Sequence, residues 1–167
     1  TEDTKGKKVN EINLLAQEKE WKLSADKTIT AWTYNGTIPG EQIRVKQGEV
    51  VKVNLKNELE EPVSIHWHGI PGVTQDAVVP GETYTYEFVA EDPGTYWYHS
   101  HQDGVNQLDK GMYGTIIVES AEDEKYDRDY TLVLDEWESG SHTETESQTE
   151  TNGMEDMNHN DMDGMDH

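Results

Sequence analysis

A chain of 167 residues with 35 acids against 13 bases, a formal net charge of -22, has room for one ordinary domain and a tail. Such a charge speaks against nucleic acid, whose phosphates are bound by clustered Lys and Arg, and fits cationic partners better. With no cysteine, the chain can build neither a disulfide framework nor a thiolate metal site, so any metal it holds must use His, Met or carboxylate.

The N-terminal TEDTKGKKVN has no apolar run of signal-peptide length, and no segment approaches the roughly 18 to 20 apolar residues of a membrane helix. The chain reads as soluble, either cytoplasmic or already processed. From Lys8 to Val118, short alternating runs separated by turn residues predict antiparallel strands with one wet face. Val9, Ile12, Leu14 and Leu15 open a first strand toward Leu23. Thr28 to Tyr34 is a second, closed by Asn35-Gly36 and Ile38-Pro39-Gly40. Ile43 and Val45, a Gln47-Gly48 turn, then Val51, Val53 and Leu55 read as a hairpin-like pair. Further strands are expected at Val63 to His68, Thr83 to Val89, Thr95 to His99 and Tyr113 to Val118, with Pro80-Gly81 and Asp92-Pro93-Gly94 as turns. A helical turn is expected over Gly104 to Lys110. About eight short strands at this spacing predict an all-β Greek-key sandwich or barrel.

After Val118 the composition changes. Glu119 to Asp129 is a charged linker, and YTLVLDEW, Tyr130 to Trp137, reads as a strand with no partner after it, as at the start of a truncated second domain. From Ser139 onward the chain is Ser, Thr, Glu, Asp, Asn, Gln, Gly, Met and His, with too little apolar surface to fold by itself; disorder or a long mobile loop is expected.

Two His-x-His pairs stand out, His66 and His68 in SIHWHGIPG and His99 and His101 in TYWYHSHQDG. Side chains at i and i+2 share a strand face, so each pair projects together while Trp67 and Ser100 point the other way. One such pair on an exposed strand needs no metal to explain it. Two pairs, each flanked by aromatics in a chain with only three other His, point to a metal site. An all-nitrogen set suits Cu(II) or Zn. Trp67 and Trp97 read as packing beside the site rather than as an electron path. Asp109, Lys110 and Glu58 to Glu61 read as solvated turns, and His142 as unliganded.

The run SIHWHG, followed by PGVTQDAVVPGETYTYEF, DPGTYWYHSH and GMYGTIIVE, resembles the N-terminal cupredoxin domain of a laccase-like multicopper oxidase. The upstream TITAWTYNGTIPGEQIRVKQGEVVKVNLKNEL extends the likeness over about Lys8 to Trp137. The resemblance implies a cupredoxin-like domain over 1–120, of the plastocyanin-like, type 3 multicopper oxidase module. Residues 121–138 would be linker and first strand of a second cupredoxin domain, and 139–167 an acidic Met/His-rich flexible segment. It further implies that His66 ligates the type 2 copper and His68, His99 and His101 the type 3 pair of a trinuclear cluster shared with another domain. There O2 is reduced to water with electrons from Cu(I), phenols or similar small-molecule donors, which enter at a type 1 copper outside this chain. The other half of the ligand set, a His-Cys-His and a His-Pro-x-His-x-His, is missing from this sequence. C-terminal cupredoxin domains or a complementary fragment are therefore the expected partners, with no nucleic acid and no membrane span. The location implied is extracytoplasmic or secreted, with the leader removed. Relatives carry a longer loop after the first His pair, with a Met-Asp-Gly; here Gly69-Ile70 passes directly to Pro71-Gly72, and Asp76 takes no role by analogy.

The end of the chain repeats every eight residues: Met154, Met157 and His159, then Met162, Met165 and His167. Thioethers select Cu(I), and the interleaved acids attract cations, so a Cu(I)-collecting segment like the Met-rich insertions of bacterial copper-tolerance oxidases is expected. The plainer reading is an acidic linker with incidental Met. For the chain as a whole, a non-catalytic copper-binding or storage module and a zinc-stabilised sandwich are the competing functions.

Overall fold

Alternation along each run decides which face is buried. In the computed structural model, which describes residues 5–73, 76–120, 122 and 126–137, Val51, Val53 and Leu55 point inward between Lys52, Asn54 and Lys56. The elements are β1 (Val9–Lys22), β2 (Thr28–Tyr34), β3 (Ile43–Lys46), β4 (Val50–Asn57), β5 (His66–His68), β6 (Thr83–Val89), β7 (Gly94–His99), α1 (Gly104–Asp109) and β8 (Tyr113–Glu119). They form two four-stranded sheets of order β2-β1-β4-β6 and β3-β8-β7-β5. The pairs β1/β4 and β3/β8 are parallel, and the remaining neighbours antiparallel. Leu14, Tyr34, Val53, Trp67, Tyr86, Phe88, Tyr98 and Ile116 belong to the core. Contacts divide the chain into Thr1–Asp135 and Glu136–His167; of the second unit only Glu136 and Trp137 are described.

Three expectations are corrected. The β3/β4 hairpin does not form, because β3 pairs with β8 in one sheet and β4 with β1 and β6 in the other. The Gln47-Gly48 turn is instead a crossing between sheets, bonded to Glu119 O and Ala90 O at 2.8 and 2.7 Å. Alternation reports a buried face and is silent about which strand completes the ladder. The strand expected from Val63 shrinks to His66–His68, with Val63 in an isolated bridge to Val78. Between that bridge and His66 the backbone is bonded to side chains instead of a ladder: Ile65 N–H donates to the Tyr86 hydroxyl at 2.8 Å, and Ser64 O accepts from the Tyr34 hydroxyl at 3.0 Å. Residues 130–137 form no strand. The segment is held by side chains: Gln42 Nε2 to Thr131 Oγ1 at 2.8 Å, Arg44 to Asp129 at 3.1 Å, and the Tyr113 hydroxyl to Asp135. Leu132 and Leu134 stay 84% and 95% exposed.

Tyr98 is the pin of the second sheet. Its hydroxyl donates to Glu41 O at 2.6 Å, and the hydroxyl end of its ring presses against Gly114 of β8, where an added Cβ would fall 2.3 Å from the ring's Cζ. Gly114→Ala is therefore expected to cost about 3 kcal/mol, the upper end for overpacking, since this fully buried ring has no free space to enter. Urea denaturation checks it; an unchanged midpoint would mean that the ring can move aside.

Candidate metal centre

The centre grows out of one short ladder. Strands β5 and β7 pair antiparallel with His66 opposite His99, Trp67 opposite Tyr98 and His68 opposite Trp97. Cross-strand partners and residues two apart share a face, so His66, His68, His99 and Trp97 project on one side while Trp67 and Tyr98 enter the core on the other. The imidazole centroids of His66 and His68 lie 5.3 Å apart, and those of His66 and His99 5.1 Å. His101 lies just past the end of β7, its ring 5.3 Å from that of His66 and 6.3 Å from that of His99. The two predicted pairs thus converge.

His66, His68 and His99 each bring a ring nitrogen to within 4.8 Å of the other two. Nitrogens bound about 2.0–2.1 Å from one ion stand at most about 4.2 Å apart, so small ring rotations suffice for a shared ion. His99 shows that the set is prepared for a ligand. Its Nδ1 donates to Ser100 O at 2.9 Å, which leaves Nε2 as the lone-pair nitrogen, and that atom is buried without a hydrogen-bond partner. An orphaned buried acceptor is costly unless something fills it, and a metal ion does so. Burial, and then the neighbouring imidazoles, lower the pKa of His66; burial also lowers that of His99, against the opposing Ser100 carbonyl. Both are held neutral, the form that binds metal.

Trp97 stacks on His99 and His68 at centroid separations of 4.2 and 5.0 Å and is 37% exposed, so it shields those two rings on one side while His68 and His101 stay exposed. Trp67 packs against Phe88, Tyr98 and Tyr86, at 5.0, 5.6 and 5.9 Å. Both are the packing residues expected. Lys110, expected in a solvated turn, places its ammonium 3.7 Å from the centroid of the Trp32 ring. Behind the histidines lies a polar group that the pattern does not reveal. Ser64 Oγ accepts from the His101 amide at 3.2 Å, Ser100 Oγ donates to Gln107 Oε1, and Gln107 Nε2 donates to Pro62 O at 3.0 Å. No sequence signal marks Gln107, because only the packed structure shows that it faces inward while Val105 of the same short helix faces out. Met154, Met157, His159, Met162, Met165 and His167 lie outside the described residues.

A family model described as multicopper oxidase matches residues 15–123. The chain belongs to the multicopper oxidase family. Its described part is the family's N-terminal cupredoxin domain, as the resemblance implied. Copper resistance protein A of Escherichia coli is 41% identical over 118 residues, which cover 64% of this chain and 19% of that protein. L-ascorbate oxidase of Nicotiana tabacum is 43% identical over 125 residues, 65% of this chain and 21% of that one. The crystal structure of a multicopper oxidase from Pseudomonas thermotolerans superposes with a TM-score of 0.67 at 34% identity, covering 73% of this chain and 32% of that one. The chain spans about a fifth of the length of the curated relatives it matches.

The histidine shifts set a pH dependence. With folded values below the ordinary histidine pKa of about 6.5, the folded cupredoxin domain binds fewer protons than the unfolded chain just below that pH. This contribution to stability is present above about pH 6.5 and is lost as pH falls through the lower folded values. Melting temperatures of the metal-free chain should drop over that window, and more steeply with Cu(II) bound, because protons then also compete with the metal. A His66→Gln, His99→Gln double variant should flatten both slopes.

Proposed function

We propose that this chain supplies half of a trinuclear copper cluster in a laccase-like multicopper oxidase, with His66 on the type 2 copper and His68, His99 and His101 on the type 3 pair. The observation that carries this reading is the three ring nitrogens within 4.8 Å, one of them buried and unpartnered. Copper, when bound, supplies the redox chemistry that moves electrons from Cu(I), phenols or similar donors to O2, yielding water. The chain's own residues hold and orient. The β5/β7 ladder aligns the imidazoles, the Ser100 carbonyl keeps His99 in the tautomer with Nε2 free, and Trp97 shields the stacked rings from water.

The type 1 copper and the remaining ligands come from a partner, because this sequence has no Cys and no further His-x-His pair. A groove of about 440 Å³ beside the site supports a docking partner. It is lined by Trp97, Leu108, Tyr113, Thr115, Leu132 and Leu134, and its exposed leucines are apolar surface that a further cupredoxin domain would cover. We place residues 121–138 as the passage into such a domain, 139–167 as an acidic Met/His-rich segment whose end, Met154 to His167, collects Cu(I), and the working protein outside the cytoplasm. Among the described residues no helix is long and apolar enough to cross a membrane.

Copper content, visible absorption, O2 consumption and intact mass measured together on the native preparation test the reading. Blue thiolate colour with O2 uptake is expected where a Cys-bearing partner is present, and neither from the purified 167-residue chain. O2 uptake by that chain alone would overturn the half-cluster reading. Colourless copper binding without O2 uptake in the native preparation, at the mass of this chain, would make it a storage module. Deleting Gly153 to His167 from the complete oxidase should weaken Cu(I) oxidation more than phenol oxidation; equal effects would remove the tail's role.

A further inference from the structure

Helix α1 is built inside out. Its apolar Val105 is 73% exposed, whereas its polar Gln107 is 2% exposed. A buried amide with no compensating bonds costs more than any rotamer preference returns, so its partners must account for its placement. They lie on both arms of the metal centre. Gln107 Oε1 accepts from Ser100 Oγ, and Ser100, itself fully buried, sits between His99 and His101. Gln107 Nε2 donates at 3.0 Å to the carbonyl of Pro62, four residues before His66.

We propose that Gln107 is a positioning residue that ties the two histidine arms to each other and sets the ligand geometry of the site. The inference rests on the four-histidine reading above. The connection runs through atoms already described. Ser100 is held by Gln107 through its side chain and by Met112 O through its amide, at 3.1 Å. That leaves the Ser100 carbonyl aimed at His99 Nδ1, the bond that fixes which nitrogen His99 offers. On the other arm, Pro62 O anchors the segment whose Ser64 accepts the His101 amide and whose next residues are Ile65 and His66. Because β5 is only three residues long, its ladder with β7 cannot by itself hold His66 and His99 in place. A residue that bridges the arms from behind supplies what so short a ladder lacks.

Gln107→Met keeps an unbranched side chain of similar length and removes both bonds, while Ser100→Ala keeps the bond to Pro62 and removes the hydroxyl arm together with that hydroxyl's bond to Tyr34. The full 167-residue chain of each is compared with the parent, with near-ultraviolet circular dichroism to verify folding. Long-range nitrogen-15 imidazole spectra of the metal-free chain report the His99 tautomer; titration with Cu(II) alone and its EPR spectrum report the site. In folded Gln107→Met the single Nδ1–H tautomer of His99 should be lost, Cu(II) affinity should fall about 10- to 100-fold, and the EPR splitting should change. A residue that merely anchors the helix would lower the melting temperature and leave tautomer, affinity and spectrum at the parent's values, and that result would overturn the proposal. If Gln107→Met does not fold, the same readouts on Ser100→Ala decide: parent-like values there overturn it. Failure of the parent to bind Cu(II) would bring down the four-histidine reading, while the metal-free tautomer would still judge Gln107.

Discussion

The structure depends on the register of one three-residue ladder. A slip of β5 against β7 by a single residue would turn His66 and His68 toward the core and expose Trp67, because the side-chain period of a strand is two. The hydrophobic core forbids that slip. Trp67 is buried among Phe88, Tyr86 and Tyr98, and Tyr98 is fixed by Glu41 and by the absence of a side chain on Gly114. Burying an indole contributes roughly 1.5–3 kcal/mol or more, well above any preference an exposed histidine has for one face. The register that puts the histidines on one face is therefore set by apolar packing on the opposite face of the same strands.

Behind that ladder the domain keeps polar groups where a sandwich usually keeps hydrocarbon. Ser64, Ser100 and Gln107 are buried, and their hydrogen bonds run between the two histidine arms and α1. In a low-dielectric interior such a network is worth having only when its members are satisfied. His99 Nε2, buried there without a hydrogen-bond partner, is an atom a metal ion would use. Neutral imidazoles inside a chain of formal charge -22 combine ligands that do not repel a cation with a surrounding field that attracts it.

The exposed side of the same region has the opposite character. His68 and His101 are exposed, Trp97 is only partly covered, and Leu132 and Leu134 offer apolar surface beside them. A site finished on its buried side and open on the other is the arrangement expected of a shared cluster.

The sequence by itself determined most of the strands of the sandwich, the face of each that is buried, the helical turn and the four candidate histidines. Each of these is written in local spacing: period two within a strand, glycine and proline at the turns, and i, i+2 for each His pair. It did not determine ladder partners. β3 and β4 are adjacent in sequence and alternate in the same way, yet they lie in different sheets, because the partner is chosen by which faces close the core together. Residues 130–137 have strand composition and no strand, since a strand exists only where a neighbour completes its hydrogen bonds. That the two His pairs meet, and that Gln107 of α1 stands behind both, was decided by tertiary structure alone. His66 and His99, 33 positions apart, and Pro62 and Gln107, 45 apart, come together only when the sheet closes, and no local pattern records that closure.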